Sequence, residues 1–257
     1  MIGAIHLSTA QVAASLALVA LAIAISVWQR ADLEREISVA VARSAVQLIA
    51  VGYVIDAIFS SDRLVFVVVL LAAMVVFGAF TARKRAPGVP GAFWPLLIAL
   101  ALAAAATIGL VVALDVFQAT PRYLVPVGGM VIGNAMTAAA VSLNRLGDDM
   151  QTSVRDIEAA LALGATAAQA ARPIARRSLR SGMIPLVDST KTTGLIFFPG
   201  TMVGMLLAGA APLDAVRLQL VLLYVLLGSV AIASLTAVAL SHRRFFTAAH
   251  QLREPPE

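Results

Sequence analysis

The side chains of this sequence that could act on a solute are few, and most of them interrupt long apolar stretches. Arg43 and Gln47 lie within the apolar stretch 37–59, Asn134 and Met136 within 123–143, and Asp188 and Lys191 near the start of 183–211. Spacings of i,i+4 (Arg43, Gln47) and i,i+3 (Asp188, Lys191) put both members of a pair on one helix face. A charge at the centre of a bilayer costs roughly 2.5–3.5 kcal/mol on insertion scales. Such a residue is therefore a structural ion pair, a side chain that snorkels to the surface, or part of a path for a polar solute. All three readings are open for Arg43, which lies about two helical turns from the end of its stretch. Asn134, with Thr137 on the same face, sits deeper and must find hydrogen bonds. Met136, like Met130, Met202 and Met205, is either gap filler or a soft thioether ligand.

Bond-breaking chemistry is poorly supplied. The chain has no cysteine, which excludes thiolate metal sites and thiol nucleophiles. Its histidines, His6, His242 and His250, stand at the chain ends, and no His-Glu-x-x-His occurs. Asp56 and Asp188 fall near opposite faces of the membrane, which does not suit an aspartyl dyad. A retinal-type pump needs a mid-membrane lysine ringed by aromatics, whereas Lys191 lies near the edge of its stretch. A phosphate-binding loop needs Gly before its Lys, but Lys84 follows Arg83 and Lys191 follows Thr190. The expectation is a non-enzymatic transporter subunit that binds no cofactor. If ATP drives it, ATP and Mg are held by a separate polypeptide.

The elements that position these residues are helices in lipid. The composition is 60% hydrophobic and 13% charged, against about 45–50% and about 25% in soluble domains. About 20 apolar residues cross a bilayer as a helix. Stretches near that length occur at 9–28, 37–59, 64–82, 93–114, 123–143, 183–211 and 218–240. The pattern predicts an all-α polytopic helix bundle of about seven transmembrane helices, folded as one domain over 1–257. Arg83, Lys84, Arg85, Arg145, Arg243, Arg244 and the arginines of 155–180 all fall on one side of such a bundle. The other side receives only Arg63, Arg122 and Arg217. Basic loops stay cytoplasmic, so the N-terminus is expected outside and the C-terminus inside. The net charge of +5 has the same origin and requires no nucleic acid. No basic residue precedes the first stretch, so it reads as a retained span, not a cleaved signal. The short basic tail after Leu240 is expected to fray.

Segment 144–182 is the one long polar connection, and it is expected in the cytoplasm. Ser153 with Asp156 has the spacing of a capping box. Val154, Ile157, Leu161 and Ala165 then form one apolar helical face, and Gly164 can end the helix. A second short helix over 165–171 is expected to stop near Pro173. Such a helix-turn-helix could lie on headgroups or dock a partner. Flanking it are two small-residue patterns, Gly129 with Gly133 and Gly200 with Gly204, which suit either tight packing or a moving interface. Pro199 beside Gly200 should break its helix, as happens where helices line a cavity.

Glu158-Ala159-Ala160, followed by Gly164 and Ile174, resembles the EAA loop of ATP-binding-cassette permeases, with Arg176-Arg177 in place of the usual Leu-Pro ending. The resemblance implies that the segment couples the membrane helices to an ATPase subunit. Arg43-Ser-Ala-Val-Gln47, Gly129-Met-Val-Ile-Gly133-Asn134-Ala-Met136 and Phe198-Pro199-Gly200-Thr-Met202-Val-Gly204 extend the likeness to the FetB-type permeases. Thr137 and Thr201 depart from that family's usual Asn and Met. The family resemblance implies a homodimeric permease in a bacterial inner membrane, paired with a FetA-type ATP-binding subunit and exporting metal, iron in particular. Plant members are linked to aluminium tolerance and nucleotide sugars. An ATP-independent secondary transporter is the alternative from the residues alone.

Overall fold

The computed structural model describes residues 8–61, 63–247, 249 and 251–253. Among these, nine α-helices follow one another without a named strand: α1 (Thr9–Gln29), α2 (Glu34–Ser61), α3 (Leu64–Lys84), α4 (Phe93–Ala113), α5 (Pro121–Thr152), α6 (Val154–Ala162), α7 (Ala167–Thr192), α8 (Gly200–Leu207) and α9 (Pro212–Ser241). By length and composition, α1 to α5 and α9 can each cross a membrane. The result is an all-helical membrane bundle, as the composition predicts.

The core lies where α3, α4, α5 and α9 meet, with α7 laid against α5 and α9. Leu96, Leu100, Leu143 and Leu146 fill it and are fully buried. Between them the contact faces are alanine: Ala99 and Ala103 on α4, Ala135 and Ala139 on α5, Ala233 and Ala237 on α9, each at 0% exposure. In lipid, apolar side chains gain little by leaving one solvent for another like it. Small residues that let backbones approach closely supply the packing instead.

The apolar stretch 183–211 does not form one helix. Its first part belongs to α7, which starts in the polar segment and ends at Thr192. Residues 193–199 are unwound, and Pro199 caps the short α8. The cause is local: Gly194 takes a left-handed φ of +83°, its N–H donates to the Phe197 carbonyl at 2.9 Å, and Pro199 cannot continue a helix. The expected break at Pro199-Gly200 is present, and it falls between two helices within the bundle.

Two further expectations are corrected. The second helix of the polar segment does not stop at Pro173, which lies inside α7. One lost backbone bond is outweighed by the face that Ala171, Ile174, Ser178 and Gly182 bury against the bundle. The tail does not fray as far as Arg253. Phe245 and Phe246 are buried, Arg244 Nη1 donates to the Gly91 carbonyl at 3.1 Å, and the Arg253 N–H donates to the Phe245 carbonyl at 2.8 Å. His242 accordingly sits against the bundle, its ring 3.1 Å from the Val238 carbonyl, while His6 and His250 lie outside the described residues.

α5 and α7 approach closely at Gly182. A Cβ at Gly182 would collide with Ser142 Oγ and come within 2.5 Å of the Ala138 carbonyl. Gly182→Ala is expected to lower the melting temperature in detergent by the equivalent of about 1–3 kcal/mol, the usual cost of overpacking. Gly52→Ala, where the added atom meets nothing within 4 Å, should leave it nearly unchanged.

Candidate functional site

The polar segment emerges as a hairpin at one end of the bundle. α5 continues as a helix past the core to Thr152, and α6 follows almost directly. Ser153 does not cap α6 with its side chain. It already closes α5, its N–H donating to the Asp149 carbonyl at 3.0 Å, and its ψ of 22° is not the extended value a capping residue needs. The capping box forms one helix later. The Gln169 N–H donates to Thr166 Oγ1 at 3.3 Å and the Thr166 N–H to Gln169 Oε1 at 2.8 Å, starting α7. Gly164 turns the chain between them with φ +90°.

The expected apolar face of α6 is buried where it should be: Ile157 is 2% exposed, and Leu161 packs against the same core. Ile174, at 3% exposure, supports the hairpin from within. The opposite side is open. Glu158, Ala159 and Gly164 are exposed, Ala160 is half-buried, and Leu163 at the turn is 89% exposed. An acidic residue, small side chains and one apolar knob therefore share the projecting surface. Asp149 ties the hairpin's two roots together: Arg145 Nη2 reaches one carboxylate oxygen at 3.0 Å and Arg177 Nε the other at 3.3 Å. Arg177 is thus held by α5.

Asn134 and Asp188 fall at one level. Asp149 against Arg177 and Ala138 against Gly182 set α5 and α7 antiparallel. Asp188, about 9 Å further along α7 at 1.5 Å per residue, then lies level with Asn134. The structure aligns these residues without joining them. Asn134 Nδ2 donates to the Met130 carbonyl at 2.9 Å and Thr137 Oγ1 to the Gly133 carbonyl at 3.0 Å. Asp188 pairs with Lys191 at 3.0 Å, their side chains 59% and 69% exposed. Met136 is half-buried against the core. Arg43 and Gln47 are exposed on α2. A groove of ≈ 490 Å³ runs along α7 past Arg180, Met183, Val187, Asp188 and Lys191. Among the described residues, no three His, Asp or Glu side chains gather as a metal site.

The paired glycines do not notch neighbours within this chain. A Cβ at Gly133, Gly200 or Gly204 would meet nothing within 4 Å, and at Gly129 only Met74 Cε at 3.4 Å. Tight helix contacts are at Gly182 against α5 and at Gly128 against Leu71 of α3; no glycine four residues away marks either one in the sequence. Asp149 and Arg177, 28 residues apart, carry no pairing signal in sequence. Leu163 was legible as the one large apolar residue beside Gly164 and off the buried face of α6.

Long apolar helices around an alanine-lined core, with one broken helix and a projecting helical hairpin, define a polytopic membrane helix bundle. The chain belongs to the family described as Uncharacterised protein family (UPF0014), whose model matches residues 9–246. It is similar to "Protein ALUMINUM SENSITIVE 3" of Arabidopsis thaliana, 39% identical over 94% of this chain and 88% of the relative. It is 34% identical to "Probable iron export permease protein FetB" of Escherichia coli (strain K12), over 96% of this chain and 95% of the relative. A relative in Bacillus subtilis (strain 168), "UPF0014 membrane protein YjkA", is 36% identical over 88% of this chain and 90% of its own. No solved structure matches the chain.

At Gly164 the open surroundings isolate the backbone effect of substitution. Gly164→Val is expected to cost about 1–2 kcal/mol, because a side chain is unfavourable at positive φ. Gly164→Asn, a residue that tolerates this region, should cost less; thermal unfolding in detergent measures the difference.

Proposed function

We propose that this chain is the membrane-spanning subunit of an ATP-binding-cassette transporter whose ATP-hydrolysing subunit, of FetA type, is a separate polypeptide. The observation that carries the reading is the α6–α7 hairpin. Its apolar side is sealed against the bundle by Ile157, Leu161 and Ile174, while Glu158, Ala159 and Leu163 are presented outward. A small-residue surface permits close approach of a partner, the Glu158 carboxylate suits a basic or N–H partner, and Leu163 offers an apolar anchor. The basic residues at the hairpin's end of the bundle favour placing that end in the cytoplasm of a bacterial cell, with the N-terminus outside. Two copies complete the transporter in this reading, since closed two-fold assembly is the commonest symmetry and each copy offers one hairpin.

Motion passes from this surface by a short route. Asp149 fastens the foot of α7 to α5, and α7 is a single helix from the hairpin to the unwound residues 193–199. Displacing the hairpin pivots α7 about its contact with α5 and moves Asp188 and Lys191 relative to Asn134. The unwound segment absorbs the change before α8. The ATPase supplies the free energy; the residues of this chain transmit it and open the polar level to one side.

Export of metal, iron in particular, is the cargo that the FetB relative's name supports. A second reading has its own observation. Arg172, Arg176 and Arg180 repeat at i,i+4 along the exposed side of α7, leading toward Lys191. Such a face suits an anionic solute, a nucleotide sugar or an anionic metal complex, better than a bare cation.

Glu158→Lys and Leu163→Asp are each expected to reduce co-purification with the ATPase subunit at least about tenfold, a loss of about 1.4 kcal/mol or more, without loss of helical content. A complex that survives both substitutions rules out docking through the hairpin. ATPase stimulation of the complex in proteoliposomes separates the cargo readings. Stimulation by ferrous or ferric ions supports metal export, and stimulation by anionic solutes alone supports the second reading.

A further inference from the structure

Helix α2 is poorly accommodated by the chain that carries it. Of its 28 residues only Ile58 is buried. The α1–α2 hairpin is closed within itself, Ser26 Oγ donating to Glu34 at 3.0 Å and accepting from the Leu33 N–H at 3.0 Å. It meets the bundle through one small cluster, Ile58 with Val67 and Val125, at the end remote from α6. For α1, which carries no charged residue, lipid is an adequate neighbour. For α2 it is not, because Arg43, Ser44 and Gln47 are all exposed on it, and an arginine facing hydrocarbon costs roughly 2.5–3.5 kcal/mol.

The depth of these residues identifies what they meet. Measured from the Ile58–Val125 contact at 1.5 Å per residue, Gln47 lies about 16 Å along α2, level with Met136 on α5 and with Asp188 on α7. Arg43 lies one turn further, within reach of the same level. Among the described residues, Asp188 is the only carboxylate of α3 to α9 near this depth, and Asp56 of α2 lies about 13 Å away toward the Ile58 end. Lys191 Nζ engages Asp188 Oδ1, and the side chain remains 59% exposed, so Oδ2 can take a guanidinium. Small residues with open surroundings are also available: Gly133 next to Asn134, and Gly200 and Gly204 on α8, face open space, and the α2 face that carries Arg43 is small, with Ala40 and Ser44. Small residues on both sides are what close helix approach in lipid requires.

We infer that α2 of one copy packs across the α7–α8 face of a second copy, Arg43 pairing with Asp188 of that copy and Gln47 joining its Asn134 level. The polar level of each transport path is then completed by the other copy. The inference rests on the reading that two copies form the transporter.

The natural absence of cysteine makes the test direct. Ser44→Cys is placed in one tagged copy and Ile184→Cys, at the matching depth on α7, in a differently tagged one. The two are co-expressed with the ATPase subunit, and the purified complex is oxidised. The expected result is a cross-link joining the two tags. No cross-link between tags in a complex that retains its ATPase overturns the inference and leaves the proposed function standing. A chain carrying both cysteines, mixed with an excess of cysteine-free copies, should show no link within itself; an internal link would place α2 against its own α7 and overturn the inference. Arg43→Glu is expected to lower the cross-linked fraction about tenfold, and Asp188→Arg in the same chains to restore it. An unchanged fraction in the single variant, or no recovery in the double, overturns the pairing.

Discussion

Where α7 crosses α5, there is no room for a methyl group at residue 182. Ser142 and the Ala138 carbonyl occupy that space, and the two helices meet backbone to side chain. In water such a contact would be one among many, because burying apolar area would hold the helices together anyway. In lipid that drive is nearly absent, and closeness itself is the source of attraction. The alanine faces of α4, α5 and α9 serve the same end. This approach, together with the buried face of Ala171, Ile174 and Ser178, sets the position of α7 and of what is attached to its two ends.

At one end of α7 is the hairpin. Its geometry depends on a division of labour within a few residues: Ile157 and Ile174 face inward, Glu158 and Leu163 outward, and Gly164 permits the reversal. At the other end the chain unwinds for seven residues before α8. α7 joins the hairpin to the unwound segment as one continuous helix, with Pro173 and Pro185 inside it. The Asp149–Arg177 ion pair fastens α7 to α5 near the hairpin.

Much of this was legible in the residues. The apolar stretches and the one-sided arginines follow from the cost of charge in hydrocarbon, and the structure returns six of the stretches as membrane-length helices. Pro199 and Gly200 mark a real break. The α6 face from Val154 to Leu161 was visible in its spacing. Elsewhere a local rule lost to a neighbour. Pro173 should have ended a helix, but the face it belongs to is buried on α5. Ser153 should have capped α6, but it was already closing α5. The basic tail should have been loose, but Phe245 and Phe246 found the core.

Composition and hydropathy settle that this chain lives in a bilayer, because no soluble core can bury such a fraction of apolar residues. Short-range spacing settles where helices run and where one must break, because backbone bonding is satisfied within a few residues. Which helices touch was decided only by the tertiary structure. Gly182 meets Ser142, Arg177 meets Asp149, and Asp188 comes level with Asn134 through contacts between residues tens of positions apart. Among helices that are apolar on nearly every side, no pattern in the sequence marks the face that a partner will choose.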